Sequence, residues 1–250
     1  MTLLTSLEDG LLTLTLNRGD KRNALSTPLL DRLHEALEKA DLDAEVRVVA
    51  LRGAGKDFCA GADLSELLAS ADRSAGENEK TAFHLGKVFL RMRELPKPVV
   101  AVVHGRALAG GAGLATACDL VLMAGSATIG YPEIQRGFVP AMVLNILRRI
   151  TGEKVAFDLA ATGRILKADE AAMLGLASRV IPDDVFDTEV TTILRRLTGS
   201  SASALALTKR QFYALDGKGF EEGLRLGAKV NAAARSTPDF RDAISRFLKK

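Results

Sequence analysis

Residues 104–113 read HGRALAGGAG, and seven of these ten residues are glycine or alanine. The apolar run VVAVV at residues 99–103 precedes the stretch, and a short apolar run follows it to about residue 117. Small residues at such a junction let a ligand approach the backbone closely, and the free N–H groups at a helix N-terminus attract negative charge. The stretch therefore predicts a buried strand, a tight loop and a short helix that opens on a ligand.

A second loop of the same kind lies earlier, where FCAGADL at residues 58–64 follows an apolar run at residues 46–51. One N–H group from each loop can converge on a single carbonyl oxygen. A simpler interpretation is that the glycines only allow tight turns and close helix packing. A dinucleotide fingerprint is weaker, because residues 104–113 do not give G-x-G-x-x-G and lie mid-chain, and the missing Gly-Lys-Ser/Thr ending excludes a P-loop. The pattern alone leaves the first two interpretations open.

The rest of the chain indicates a parallel sheet covered by helices. Asp9-Gly10 between β-prone runs predicts a hairpin over residues 3–16, and a helix is expected to start at Ser26 or Thr27 with Pro28 in its first turn. Near-continuous apolar strands that alternate with helices are typical of parallel sheets. The other expected elements are strands at residues 46–51, 99–103 and 119–123, a small, polar and mobile segment at residues 69–80, and helices at residues 81–93 and 110–117.

From about residue 200 the pattern changes to helices without a strand, over residues 202–215, 220–233 and 238–248. This tail is too small for a core of its own, so it needs a surface to pack on, either its own body or a neighbouring subunit. We therefore divide the chain into a core of residues 1–198 and a C-terminal helical region of residues 199–250.

Composition argues against several classes of function. The 250 residues carry 34 basic and 31 acidic side chains without a long basic run, which argues against nucleic-acid binding. Two cysteines, Cys59 and Cys118, cannot form a disulfide framework and belong to no metal-binding cluster in the sequence. The N-terminus lacks the features of a signal or transit peptide, and no stretch approaches the roughly 20 apolar residues that span a membrane. A cytoplasmic protein without a metal is expected.

The motifs along the chain are Leu16 to Arg18, Lys21 to Leu25, Ala60 to Asp63, Ala109 to Gly113, Cys118-Asp119, Pro132 to Ile134, Gly137, Pro140, Thr162-Gly163 and residues 168–176. Taken together, they resemble those of the crotonase (enoyl-CoA hydratase/isomerase) family over nearly the whole chain. The resemblance implies an α/β fold, a crotonase-like spiral of ββα units with a C-terminal helical trimerisation region, and a homotrimer or dimer of trimers. It also implies an acyl-CoA thioester substrate, with coenzyme A as part of the substrate and no separate cofactor.

The resemblance assigns an oxyanion hole to the backbone N–H groups of Ala62 and Gly110. These groups would polarise the thioester carbonyl and stabilise an enolate, with a contribution of roughly 2.7–4 kcal/mol per donor. The positions that match the family's coenzyme A contacts are Lys21, Arg22, Ala24, Ala60, Leu64 and Lys250, the last of them across a subunit boundary.

The acid–base residue that the resemblance implies is Glu133, which follows the strand-like residues 127–129; without the resemblance it reads as a surface residue in a turn. Typical hydratases of the family supply a second glutamate, at a position that is Gly113 here. One carboxylate is enough for 3-enoyl to 2-enoyl isomerisation, and it serves hydration if it both activates water and returns the proton. Members that resemble bacterial methylglutaconyl-CoA hydratases also carry glycine here, and residues 134–142 look closer to that branch.

Three hypotheses about function follow from this departure. The leading one is a 2-enoyl-CoA hydratase of the kind used in fatty acid metabolism. The second is a 3,2-enoyl-CoA isomerase that needs only Glu133, and the third is a catalytically weak acyl-CoA-binding protein.

Other reactive side chains have structural interpretations. His34 and His84 lie on predicted helices, and His104 ends a strand, where it is either a structural histidine or part of the cleft lining. Cys59 and Cys118 are expected to pack in the core. Asp63 is expected to fix its own loop by hydrogen bonds.

Overall fold

The computed structural model describes residues 1–249, and within them the chain forms two β-sheets and eleven α-helices. The strands are β1 (Leu3–Glu8), β2 (Leu11–Leu16), β3 (Val48–Gly53), β4 (Val99–Val103), β5 (Arg106–Leu108), β6 (Leu120–Ala124), β7 (Thr128–Gly130), β8 (Ile165–Lys167) and β9 (Arg179–Ile181). The helices are α1 (Thr27–Leu42), α2 (Leu64–Ala69), α3 (Ala75–Glu94), α4 (Gly110–Thr116), α5 (Ala141–Thr151), α6 (Glu153–Thr162), α7 (Ala168–Met173), α8 (Phe186–Thr198), α9 (Ala202–Ala214), α10 (Phe220–Arg235) and α11 (Pro238–Leu248).

The larger sheet has the strand order β1-β2-β3-β4-β6-β9, in which β1 pairs antiparallel and the later strands pair parallel. Asp9 and Gly10 join β1 to β2 with φ angles of 48° and 80°, the two positive values that a type I′ turn requires. The strands β3, β4 and β6 are buried along nearly their whole length, as parallel strands covered on both faces are. The predicted hairpin and parallel sheet are confirmed.

The strand expected at residues 46–51 lies two residues later, as β3. Val46 still belongs to the turn after α1, because its N–H donates to the carbonyl of Asp43 at 3.2 Å. The N–H of Arg47 donates to Gly10 of the hairpin turn at 2.7 Å. Val46 is apolar but belongs to the preceding turn, and the predicted strand therefore began two residues too early.

The smaller sheet contains β5, β7 and β8, and a parallel bridge pairs Cys59 with Ala107 of β5 at its edge. Successive turns of the chain therefore each supply a strand of the larger sheet, an extended segment of the smaller sheet and a helix. This repeat, seen in β4-β5-α4 and β6-β7-α5, is the predicted spiral of ββα units. It brings the loops that follow each extended segment side by side.

Helix α3 begins at Ala75, six residues before the predicted start, so residues 75–80 of the segment at residues 69–80 belong to a helix that was not predicted. The cause is a capping box at residues 74–77. The Ser74 hydroxyl accepts from the N–H of Glu77 at 3.4 Å, and the Glu77 carboxylate accepts from the N–H of Ser74 at 3.0 Å. The Ser-x-x-Glu signal outweighs the small, polar composition on which the prediction was based.

The three C-terminal helices lie close to their predicted positions, as α9, α10 and α11. Neither α10 nor α11 buries a side chain within the part of the chain that the structure describes. Large apolar side chains are instead exposed over this region, and clusters of such side chains commonly mark interaction surfaces. They are Phe212, Phe220, Leu224, Phe247 and Leu248, each between 60% and 86% exposed.

No helix within residues 1–249 combines the length and the apolar character needed to cross a membrane. The predicted compartment and the predicted absence of nucleic-acid binding stay predictions.

Candidate active site

The two glycine loops lie against each other. A Cβ built on Gly61 would lie 3.6 Å from the amide nitrogen of Gly110, and one built on Gly110 would lie 3.9 Å from the amide nitrogen of Ala62. Leu25 holds the first loop, because its N–H donates to the carbonyl of Gly61 at 2.7 Å and its carbonyl accepts from the N–H of Asp63 at 2.9 Å. Both neighbours of Ala62 are thus fixed by Leu25, and the amide nitrogen of Ala62 is held close to Gly110.

Both N–H groups of the predicted oxyanion hole are free to bind a ligand. The N–H of Ala62 makes no hydrogen bond to another group within residues 1–249. Gly110 is the first residue of α4, and N–H groups in the first turn of a helix have no partner inside the helix. Both residues are partly exposed, although Gly61 and Gly111 beside them are buried. The two donors are therefore adjacent, unpaired in the described chain and reachable from solvent.

Ala109 holds an unusual backbone conformation immediately before Gly110, with φ of 52° and ψ of −126°. Residues other than glycine reach this region at a cost, and such strain is commonly stored at functional sites. Two hydrogen bonds fix the position, since the N–H of Ala109 donates to Gly130 at 2.8 Å and its carbonyl accepts from Gly113 at 3.0 Å. A Cβ on Gly61 would lie only 2.8 Å from the Cβ of Ala109, so the two loops meet only because residue 61 is glycine.

Asp63 fixes the first loop, as the sequence predicts. One carboxylate oxygen accepts from the N–H and hydroxyl of Ser65 at 3.1 and 2.6 Å, and the other accepts from the Arg18 guanidinium at 2.7 Å. Hydrogen bonds from Ser65 and Arg18 lower the pKa of Asp63 to about 2. Arg18 was not predicted as this partner, although it lies in the polar stretch NRGDKRNAL at residues 17–25.

Asn23 is a second support of the site, and it was not predicted from the sequence. Its side chain is fully buried and donates to the carbonyls of Ala54 and Asp57, each at 2.8 Å. The backbone φ of Asn23 is 57°, in the left-handed region that asparagine enters more readily than most residues. The available signal was the asparagine within a turn-rich stretch, but its partners lie more than thirty residues away and leave no local trace.

The predicted coenzyme A contacts lie around the first loop. The N–H of Ala60 donates to the carbonyl of Arg22 at 2.9 Å, which ties the basic pair Lys21 and Arg22 to the loop that carries Ala62. Both basic side chains are exposed, Leu64 is 60% exposed, and Ala24 and Ala60 are partly exposed. Their part in binding coenzyme A stays a prediction, and Lys250 lies outside the described residues.

Glu133 is buried rather than on the surface of a turn. It lies in a 3₁₀ helix, Pro132–Arg136, three residues after Gly130, which accepts the hydrogen bond from Ala109 beside the oxyanion hole. Its side chain is 8% exposed, and Oε2 has no hydrogen-bond partner within residues 1–249. Burial raises the pKa of Glu133, and the nearby charge of Arg136 partly offsets this rise. A buried carboxylate with a free oxygen and a raised pKa is a candidate general acid or base.

Gly113 has no space for a second carboxylate. A Cβ built there would lie 1.9 Å from Cγ1 of Val143 on α5 and 3.1 Å from Cζ of Phe89 on α3. Apolar side chains of two other helices therefore occupy the volume that a glutamate would need. The glycine is evident from the sequence, but Val143 was not predicted as its neighbour, because the contact joins residues thirty positions apart.

The remaining reactive side chains are three histidines and two cysteines. His104 Nε2 lies 2.9 Å from a backbone carbonyl, which supports the structural interpretation, and His34 and His84 are partly exposed on α1 and α3. Cys59 and Cys118 are buried as predicted, and burial raises the pKa of the Cys59 thiol to about 12. Within residues 1–249 no group of His, Cys, Asp and Glu side chains is arranged to hold a metal ion.

The two sheets, the spiral of ββα units and the paired glycine loops define a protein of the crotonase fold. The crystal structure of an enoyl-CoA hydratase from Mycobacterium smegmatis is similar with a TM-score of 0.95 and 34% sequence identity. The similarity covers 100% of this chain and 96% of that one.

Sequence comparisons then place the chain in a family. A family model described as enoyl-CoA hydratase/isomerase matches residues 6–250. A protein of Thermus thermophilus with the provisional name enoyl-CoA hydratase is 43% identical over 235 residues, 94% of this chain and 93% of that protein. The short-chain-enoyl-CoA hydratase of Clostridium acetobutylicum is 32% identical over 239 residues, 94% of this chain and 90% of that protein. The chain belongs to the enoyl-CoA hydratase/isomerase family.

Proposed function

We propose that the protein is an enoyl-CoA hydratase, which adds water to a 2-enoyl-CoA thioester. The observation that carries this proposal is the pair of free N–H groups at Ala62 and Gly110. The buried Glu133 lies three residues after Gly130, which accepts a hydrogen bond from Ala109, the residue before Gly110. The paired donors fit a thioester carbonyl, and the carboxylate fits the acid–base step. The hydratase names of the relatives support the same reaction.

In the proposed reaction the N–H groups of Ala62 and Gly110 donate to the thioester oxygen. The Glu133 carboxylate accepts a proton from a water molecule while the water oxygen bonds to C3. The electron pair of the C2–C3 double bond moves towards the carbonyl, and the resulting enolate is held by the two donors. Glu133 then returns its proton to C2, which gives a 3-hydroxyacyl thioester and leaves the enzyme unchanged. Preorganised donors of this kind contribute roughly 2.7–4 kcal/mol each.

Burial suits Glu133 to both halves of this step. A carboxylate with an ordinary pKa is a weak base near neutral pH, and its acid is scarcely populated. Because burial raises the pKa of Glu133, the carboxylate is a stronger base and the acid is easier to form. Glu133 alone can therefore accept the proton from water and return it to C2. The second glutamate, whose position is occupied by Gly113 here, is not needed for this step.

We assign coenzyme A to the exposed edge of the first loop. Lys21 and Arg22 supply positive charge for its phosphates, and Ala24, Ala60 and Leu64 line its path to the thioester. Lys250 is kept in this assignment as a contact from a neighbouring subunit. The short-chain substrate in the name of the Clostridium relative supports a short acyl group.

A 3,2-enoyl-CoA isomerase is the second candidate, and the apolar filling beside Gly113 favours it. Moving a double bond requires only that one carboxylate takes a proton from C2 and delivers it to C4, or the reverse. The space opposite a single carboxylate does not need to hold water in that reaction.

Assays of wild-type protein with matched 2-enoyl- and 3-enoyl-CoA panels distinguish the candidates. The proposal expects loss of the conjugated enone absorbance with 2-enoyl-CoA, together with a 3-hydroxyacyl product. Turnover of 3-enoyl-CoA alone, without a hydroxylated product, would favour the isomerase. If neither panel is turned over while acyl-CoA binds, the chain is an acyl-CoA-binding protein and the proposed reaction is wrong.

We also propose that residues 199–250 form a trimerisation region and that the protein is a homotrimer or a dimer of trimers. The exposed apolar side chains of α10 and α11 support this assembly, because neither helix buries a side chain against its own chain within residues 1–249. A neighbouring subunit would cover them.

A further inference from the structure

The space beside Gly113 is closed by two apolar side chains from different helices. Val143 is 2% exposed and Phe89 is 9% exposed, and both approach the position of a Cβ on Gly113. A second contact shows how tightly the two helices meet, because a Cβ built on Gly86 of α3 would lie 2.6 Å from Cε of Met142 on α5. Val143 is therefore held in place by the packing of α3 on α5.

Val143 also lies close to the oxyanion hole. Gly113 is three residues along α4 from Gly110, so the two positions share a face of the helix and are about 4.5 Å apart along its axis. A Cβ built on Gly110 would meet Leu25 and Leu85 at 3.4 Å each, so this face is apolar at both positions. The first few carbons of an acyl chain with its carbonyl at Gly110 span the same distance.

We propose that Val143, backed by Phe89, is a specificity-determining residue that limits the bulk of the acyl group around C3 and C4. This inference rests on the proposed function only in taking the acyl chain to lie along α4. The methyl groups of Val143 take the place of a second carboxylate and form an apolar wall. The favoured substrates are short, straight-chain thioesters, and extra methyl or methylene groups would collide with the wall.

Binding of saturated acyl-CoA thioesters, measured by calorimetry, tests this inference without requiring turnover. The ratio of the dissociation constant for butanoyl-CoA to that for 3-methylbutanoyl-CoA reports the room around C3 and C4, because the two ligands differ by one methyl group on C3. Val143→Ala should change this ratio by about tenfold, because the bulkier ligand binds more tightly relative to butanoyl-CoA. One or two carbon atoms have an effect of this size in an apolar pocket. Val143→Ile, which adds one methylene group, should shift it the opposite way.

Val190→Ala is the matched control, because Val190 is 5% exposed on α8, which packs on β2 and β3. It should lower stability and leave the binding ratio unchanged. Equal shifts for Val143→Ala and Val190→Ala, or the same direction of shift for Val143→Ala and Val143→Ile, would overturn the inference. Binding of no acyl-CoA by the wild type would also overturn it. Failure of the proposed function is seen separately, as binding of acyl-CoA without turnover of any 2-enoyl-CoA.

Discussion

Ala109 holds the most costly backbone position described at the candidate site, beside the donor N–H of Gly110. Its φ of 52° and ψ of −126° suit glycine better than alanine, and two hydrogen bonds keep it there. Ala109→Gly should therefore raise the free energy of unfolding by about 1 kcal/mol, measured by denaturant unfolding. A loss of stability would show that the packing of the Ala109 methyl group against the first loop outweighs the strain.

Asp63 links the charge of the first loop to stability. Its pKa of about 2 lies below the ordinary value of 3.8, because the folded chain stabilises the charged form. A carboxyl group whose pKa is lowered by folding stabilises the folded state at pH values above its pKa in the unfolded chain. This stability is lost as the pH falls from 3.8 towards 2. At pH 6 we expect Asp63→Asn to lower the unfolding free energy by about 2 kcal/mol.

Unfolding of both proteins at pH 6 and near pH 2.5 measures this effect, and the difference should shrink at the lower pH. Asp72→Asn, at an exposed position, is the control and should change little at either pH. A wild-type advantage that is equal at both pH values would contradict the assigned role of the Asp63 charge.

At the scale of elements, helix α9 is joined to the core by a buried lysine. Lys209 is 8% exposed, and its ammonium group donates to the carbonyls of Met92 and Lys97 at 2.7 and 2.9 Å. It also lies 2.7 Å from the carboxylate of Asp119. Burial lowers the pKa of Lys209, and the charge of Asp119 opposes this shift. The helix is thereby tied to the end of α3 and to the start of β4 and β6.

Lys209→Ala should cost about 3 kcal/mol of unfolding free energy, because it leaves the Asp119 charge and two carbonyl groups without their partner. Thermal and urea unfolding measure the loss. Arg210→Ala, one residue further along α9 and exposed, should change stability by less than about 0.5 kcal/mol. Similar losses for the two variants would mean that Lys209 contributes no more than a surface side chain.

The elements also show what local sequence can predict. The hairpin at Asp9-Gly10, the start of α1 at Ser26 and the short helix at Gly110 follow from turn, cap and glycine signals within a few residues. The start of α3 was missed because a capping box competed with a small, polar composition. The filling beside Gly113 could not be predicted, since Val143 reaches it only through the packing of α5 on α4.

At the scale of the whole molecule, the order of the motifs was enough to predict the family and the crotonase fold. The pairing of Ala62 with Gly110 was expected from the resemblance, and the structure brings their loops together. The supports of that pairing were not predicted, because Arg18 and Asn23 bind partners far along the chain. Local patterns specify the elements, whereas the contacts that complete the site arise only when successive turns of the spiral stack.

The proposed assembly predicts that the wild-type protein elutes with the mass of three or six chains in size-exclusion chromatography with light scattering. The double variant Phe220→Glu with Leu224→Glu places charge on the exposed apolar face of α10 and should shift the mass towards one chain. Leu42→Glu, 88% exposed at the end of α1, is the control outside the C-terminal region. A wild-type protein that elutes as a single chain would contradict the proposed assembly.

The central claim is that Glu133 performs acid–base chemistry next to a carbonyl held by Ala62 and Gly110. The most direct test is kcat/KM for a four-carbon 2-enoyl-CoA with wild type, Glu133→Gln and the exposed control Glu189→Gln. We expect Glu133→Gln to lose about 10²- to 10⁴-fold, mainly in kcat, while Glu189→Gln keeps wild-type activity. Equal activity of the wild type and Glu133→Gln would contradict the claim.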